Sequence, residues 1–250
     1  MDEACPGLRW QSGRSIVTLL SLHGVAQAGR FESGAFSGAT LLGFERHRAG
    51  VQATFAPAGW GGLVVRAGWS PDALREAVDL EIQVSATSVG ELSALEVAVV
   101  SRLGEIGGNE PTVFAGRVEP RDGRSAALSY DGRESALALR ALTTLPLPES
   151  PRLDLRPLVV APPGAEAGVF YVEMAHPNDV ARRISGEHVR HGSTTAIAQS
   201  TRYGLFGHDL EKGVVLRARL RGCWIRSRTP EDDALALYRE FLREPLPLGP

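Results

Sequence analysis

Apolar and polar residues alternate at period two in short segments throughout this chain, and that pattern commits most of it to β-strands. The segment 79–87 is the clearest: Leu80, Ile82, Val84 and Ala86 fall on one side, Glu81, Gln83, Ser85 and Thr87 on the other. Successive side chains of a strand point to opposite faces, so this is a half-buried strand with one wet face. Residues 92–103 repeat the pattern less cleanly. Further short strands are marked by Val51, Ala53 and Phe55; Leu63, Val65 and Ala67; Val113 and Ala115; Leu137 and Leu139; and Val169, Tyr171 and Glu173. Gly, Pro, Asp and Ser clusters such as 59–62, 107–111 and 121–123 separate them. Strands at roughly 10–20-residue spacing with turn chemistry between them predict an all-β, mostly antiparallel fold: a large β-sandwich or a two-lobed sandwich, with a β-barrel as the alternative. Alternating βα units are missing, which argues against a doubly wound parallel sheet.

One helix stands out near the end. Thr229 is placed as N-cap, Pro230 at the first helical position, and Glu231, Asp232 and Asp233 in the first turn. Leu235, Leu237, Tyr238, Phe241 and Leu242 then form an apolar stripe that stops before Pro245. The pattern predicts a helix over 230–244 packed on an open sheet face or a sheet edge. Shorter helical turns are expected at 70–76 and 178–183. The chain reads as one large β domain of 1–250, with an internal boundary available in the proline-rich stretch 145–163. That boundary would separate a lobe of 1–145 from one of 151–250 that carries the helix.

Composition narrows the function classes. A net charge of -2 gives no electrostatic case for nucleic acid or an anionic membrane, and no basic run reads as a binding arm. The apolar run 15–22 is too short for a membrane span, and no glycosylation sequon is present. Cys5 and Cys223 form neither a CxxC pair nor a disulfide framework, and Cys223 sits in a strand-like run as a small hydrophobe. These features set a cytoplasmic expectation. Phosphate-loop, dinucleotide, zincin and nucleophile-elbow motifs are absent, and no cofactor is assigned.

The candidate site lies in the last third. All cationic side chains but one are arginine, 26 of the 27 Lys+Arg; the exception, Lys212, falls in the most polar cluster, 207–213. Lysine can lose its proton when buried and arginine cannot, so a lone lysine in an arginine-biased chain is a candidate for chemistry. Four of the six histidines, His176, His188, His191 and His208, lie between 176 and 208, with Glu173, Asp179, Glu187, Asp209 and Glu211 beside them. His208, Glu211 and Lys212 are the candidate catalytic residues. His188, His191 and His208 are the candidate metal ligands. Arg217, Arg219 and Arg221 share one face of the next strand, opposite Leu216, Ala218, Leu220 and Trp224. Guanidinium groups bind carboxylate or phosphate in bidentate fashion, so Arg217 and Arg219 are candidate ligand residues. The alternative is a face paired with acidic strands such as those of Glu81 and Glu96. Trp60, in a glycine-rich loop, and His176 complete the candidate ligand set.

In architecture alone, the chain resembles the large sandwiches of sugar mutarotases and related carbohydrate-active enzymes. That resemblance implies a small polar ligand such as a sugar or sugar acid, with a histidine and a carboxylate as acid and base. It carries no residue across, and His208 with Glu211 is the choice made on chemistry. A non-catalytic interaction or structural protein is the second reading, and a homo-oligomer is left open. A metal-dependent barrel enzyme of the cupin kind is third, because two histidines at i and i+2 on a strand are missing.

Overall fold

The computed structural model describes residues 8–12, 15–27, 30–72, 74–88, 91–104, 112–120, 126–131, 155–161, 166–190 and 196–245. They form fifteen strands and one helix: β1 (Leu8–Ser12), β2 (Ser15–Gln27), β3 (Arg30–Glu32), β4 (Leu41–His47), β5 (Gly50–Phe55), β6 (Leu63–Asp72), β7 (Ala77–Ala86), β8 (Glu91–Gly104), β9 (Thr112–Pro120), β10 (Ala126–Asp131), β11 (Leu158–Val160), β12 (Val169–Ala175), β13 (Val180–Arg190), β14 (Ala196–Glu211), β15 (Val215–Arg226) and α1 (Pro230–Arg243). A single 3-10 turn, Ser33–Phe36, follows β3.

Two antiparallel sheets pack as a sandwich. Sheet A runs β1-β2-β8-β14-β13-β9-β10, with β3 added on β2; sheet B runs β11-β12-β15-β7-β6-β5-β4. Both sheets end in open edges among the described residues, so the barrel alternative gives way to the sandwich. Strands from before and after the proline-rich stretch pair directly in each sheet, β8 with β14 and β7 with β15. Residues 145–154 and 162–163 of that stretch lie outside the described residues, as do Leu137 and Leu139.

The alternation in the sequence sets the layers. On β7, Leu80, Ile82, Val84 and Ala86 are buried in the interlayer core with Leu63, Val65 and Ala67 of β6. From sheet A the core receives Leu20 and Leu22 of β2, Val97, Val99 and Leu103 of β8, and Tyr203 and Leu205 of β14. Leu20 sits at an irregularity of the β2–β8 register with a positive φ of 49°. A bulge withdraws backbone groups from the ladder. Here side chains replace the lost partners: Leu20 N–H donates to Ser101 Oγ at 2.9 Å, and Trp69 Nε1 donates to the Leu20 carbonyl at 2.9 Å.

Helix α1 covers the outer face of sheet B. Ala234 and Phe241 are buried there with Val172, Met174, Ala77 and Cys223, and Leu237 and Tyr238 pack beside them. Leu242 points outward and is exposed, so the buried stripe is one step off the expected one. Thr229 makes no side-chain cap; Ser227 Oγ instead donates to Asp233 and accepts the Thr229 N–H at 2.8 Å.

The arginine face of β15 anchors the other end of this helix. Arg219 Nη2 donates to the Phe241 carbonyl at 2.8 Å, and its guanidinium lies 4.4 Å from the Phe241 ring centre. Arg221 grips both Asp79 oxygens, at 2.6 and 2.7 Å, and also Glu244. The last carbonyls of a helix lack internal partners and carry the negative end of its dipole, so cations are favoured there. Arg221 holds the Glu244 carboxyl down to about 2.

The two short helical turns expected from sequence are not formed. Residues 70–72 belong to β6 and 74–76 form a turn ahead of β7, with Asp72 Oδ1 accepting the Leu74 and Arg75 N–H groups. Asp72 thus caps a turn where the sequence suggested a helix start. Segment 178–183 enters β13 at Val180, because pairing with β14 outweighs its local preference. Among the described residues, no helix is long and apolar enough to cross a membrane.

Candidate functional site

Two polar constellations are built into the sheets. The first lies between them. Glu173 of β12 is fully buried on the inner face of sheet B. Its carboxyl accepts a hydrogen bond from the Tyr171 hydroxyl at 2.7 Å and another from Ser101 Oγ of sheet A. Burial raises the Glu173 pKa, while Ser101, Tyr171 and Tyr203 oppose the rise. Glu173 and Tyr203 are closed off from solvent, so this network ties the layers together.

The second constellation occupies the face of sheet A turned away from sheet B. Register fixes it. Val97, Val99 and Leu103 point inward, so Glu96, Ala98, Val100 and Arg102 point outward on β8. Opposite them on β14 stand Gly204, Arg202 and Ser200, and beyond these on β13 stand Arg182, Ile184 and His188. His23 of β2 joins from the other side, where Arg202 Nη2 donates to its Nε2 at 3.4 Å. His188 Nε2 and Ser200 Oγ share a hydrogen bond at 3.1 Å. Phe31 stacks on the His23 ring with centroids 5.9 Å apart, over Gly24, where a Cβ would overlap the Phe31 ring. Two guanidiniums, two imidazoles, a hydroxyl and an aromatic wall therefore meet across five strands. Arg202 and His188 are buried, while Arg102, Ser200 and His23 keep partial exposure.

Both imidazoles are neutral. Burial first, then the charges of Arg202 and Arg102, pull His23 down to about 3. Burial, then Arg102 and Arg202, pull His188 down to about 4. Geometry agrees for His23: a guanidinium only donates, so His23 Nε2 must present its lone pair. At the border of this group Glu96 and Arg182 form a buried ion pair that crosses over Gly204.

A pH dependence follows. Each histidine titrates near 6.5 when unfolded but lower when folded, so below 6.5 the unfolded chain binds more protons. Stability should therefore fall as pH drops from 6.5 towards 4 for His188 and towards 3 for His23. Each adds a slope of up to about 1.4 kcal/mol per pH unit. Urea unfolding of His23→Gln and His188→Gln at several pH values should show that slope flattened relative to wild type.

The residues singled out from sequence are dispersed. His208, Glu211 and Lys212 are all exposed where β14 ends, and Lys212 meets Ala86 in an isolated backbone bridge. Asp209 Oδ1 accepts the Ala94 N–H at 2.8 Å. Arg219 is committed to the end of α1, with Arg217 half-buried on the same face. Trp60 is buried in the core and donates to Glu32 at 2.5 Å. His176 Nδ1 accepts the Asn178 N–H at 3.3 Å in the β12–β13 turn. His191 lies outside the described residues. His188 pairs with Ala198 and His208 with Leu95. That places them ten residues apart along β14, about 30 Å at strand rise, so one ion cannot bind both. Among the described residues, no group of three His, Cys, Asp or Glu could hold a metal. Cys223 is buried, which pushes its thiol up to about 11.

His23, Arg102 and Arg202 were not among the sequence candidates. The available signal was ionisable residues inside otherwise apolar strands: His23 after the run 15–22, Glu96 and Arg102 within 92–103, and the dyad Arg182-Arg183.

No family model matches the sequence, and no curated protein does. Among solved structures, the chain is similar to the GalM/aldose epimerase homologue from C. elegans, at 14% identity and a TM-score of 0.40, covering 84% of this chain and 80% of that one. It is also similar to a variant of the GH36 alpha-galactosidase AgaA from Geobacillus stearothermophilus in complex with 1-deoxygalactonojirimycin. That match has 8% identity and a TM-score of 0.30, and covers 93% of this chain and 32% of that one. At these scores neither likeness carries a residue or a reaction to this chain.

Proposed function

We propose that this protein binds a small sugar-type ligand bearing a carboxylate on the face of sheet A turned away from sheet B. The observation that carries this reading is the convergence of Arg102, Arg202, His23, His188 and Ser200 from four neighbouring strands. Guanidinium groups match a carboxylate in bidentate geometry. Phe31 supplies a flat apolar wall beside them, and few polar groups against an aromatic surface is the usual make-up of a small-ligand site. Held neutral beside the arginines, His23 and His188 offer hydrogen bonds to sugar hydroxyls; mutarotase- or epimerase-like acid–base chemistry on the ring would require the bound carboxylate to offset the arginine charges and restore proton affinity to one of them. The rival placement is the exposed turn with His208, Glu211 and Lys212.

Calorimetric titration with glucuronate and with glucose separates these readings. Wild type should bind glucuronate in preference to glucose. Arg202→Gln should weaken glucuronate binding by about 10–100-fold, the value of one charge-assisted hydrogen bond. His208→Ala should leave it unchanged. Binding lost in His208→Ala but kept in Arg202→Gln would move the site to the turn. Absence of binding to either sugar by wild type would remove the sugar reading.

The second reading, an interaction protein, is favoured by one specific observation. Strand β4 is exposed along its whole length.

A further inference from the structure

We infer that Phe31 makes the sheet A site selective for a ring: a cyclic sugar acid is held in preference to an open-chain acid of the same charge, with Glu32 and Trp60 as the positioning residues that keep Phe31 in place. The inference rests on the carboxylate-binding reading above and adds the shape of the ligand to it. Arg202 and Phe31 flank the same imidazole. Arg202 Nη2 lies 3.4 Å from His23 Nε2, and the Phe31 ring stacks on His23 at an interplanar angle of 29°. Phe31 is half-buried, so part of its ring stays open beside the guanidinium. A ligand with its carboxylate on Arg202 can lay the rest of its atoms against that ring. A pyranose offers a rigid C–H face to an aromatic surface. An open-chain polyol has no such face and must freeze several torsions to make one, which costs affinity.

Phe31 sits on a strand too short to fix its own position. β3 has three residues and pairs only with Val25, Ala26 and Gln27 of β2. Two further contacts hold it. Gly24 leaves the room: a Cβ there would overlap both the Phe31 ring and the Glu32 carbonyl, so β3 lies closer to β2 than a side chain at 24 would permit. Beyond it, the Glu32 carboxylate accepts the Trp60 indole N–H at 2.5 Å. Trp60 is 1% exposed and belongs to the interlayer core, in the connection between β5 and β6 of sheet B. The bond therefore anchors β3 to the opposite sheet. On its other side β3 runs into the 3-10 turn, which Ala35 and Phe36 bury in the same core. Trp60, a candidate ligand residue from sequence, thus acts on the ligand through Glu32 and Phe31 and not by touching it.

Calorimetric titration at neutral pH with glucuronate and with gluconate tests this, since the first is a ring and the second an open chain with the same single charge. Wild type should bind glucuronate about 3–10-fold more tightly than gluconate. Phe31→Ala should bring glucuronate down to the gluconate level and leave gluconate unchanged, which also shows that the variant is folded. Glu32→Ala should lose most of the preference in the same way. Glu32→Gln should keep it, because the amide oxygen still accepts the indole N–H and the lost charge affects both acids alike. Equal affinity of wild type for the two acids would overturn the inference and leave the carboxylate site standing, and so would a preference that survives Phe31→Ala. Gluconate binding that vanishes with glucuronate in Phe31→Ala would also overturn it, since the ring would then hold the site together without selecting the ligand. A preference lost as fully in Glu32→Gln as in Glu32→Ala would overturn the positioning role of Glu32 and Trp60. Wild type that binds neither acid would remove the carboxylate reading itself, and this inference with it.

Discussion

Glu96→Ala should cost the fold about 3–5 kcal/mol, measured as a shift in the guanidinium unfolding midpoint at constant slope. Glu96 on β8 and Arg182 on β13 are 2% and 6% exposed, and no water-facing alternative is open to either. They are not on adjacent strands. β14 runs between them, and they meet because Gly204 offers no side chain there; a Cβ at 204 would collide with the Glu96 carboxyl. Arg182 Nε donates to both Glu96 oxygens at 3.0 Å. Removing the carboxylate leaves a guanidinium buried without its counter-charge, and that desolvation makes the loss large. The double replacement Glu96→Leu with Arg182→Met should recover most of it, since an apolar pair of similar volume carries no desolvation penalty. If Glu96→Ala shifts the midpoint by less than about 1 kcal/mol, the pair is solvated and the picture of a dry sheet face is wrong.

Gly222→Ala should destabilise by about 2–4 kcal/mol, combining overpacking with a broken buried hydrogen bond. Gly222 on β15 pairs with Glu173 on β12, and the Tyr171 hydroxyl lies against it. An alanine methyl would occupy the position of that oxygen. The ring would have to swing away, and the fully buried Glu173 carboxyl would lose its 2.7 Å donor. Tyr171→Phe removes the colliding oxygen, so Gly222→Ala should cost about 1 kcal/mol less in that background than alone. Strict additivity of the two substitutions would show that Tyr171 and Gly222 do not touch.

Local pattern carried much of the fold. The alternation through Leu80, Ile82, Val84 and Ala86 gave the inner face of β7 directly, because burial on one side is all that a half-wet strand encodes. The opposing faces of β15 were equally legible, with Leu216, Ala218, Leu220 and Trp224 inward and the arginines outward. The partner of those arginines was not, since nothing in 214–226 announces that the end of α1 will lie on it. The polar group on sheet A was harder still. His23 and Arg202 are 179 residues apart in sequence, and only the register of β2, β8 and β14 brings them together. Lys212 shows the reverse: its rarity in the composition says nothing about where it sits, and it sits in an exposed turn.

The interleaving of early and late strands has a consequence for how the chain matures during synthesis. β8 ends at Gly104 and its partner β14 begins only at Ala196; β7 ends at Ala86 and waits for β15 at Val215. At ribosomal elongation rates this is a delay of about 5–25 s, far longer than the microseconds in which a hairpin closes. During that interval two of the most apolar strands each lack a neighbour on one side. Nascent chains halted before Ala196 should accordingly be held by chaperones, while those extended past Arg226 should be released.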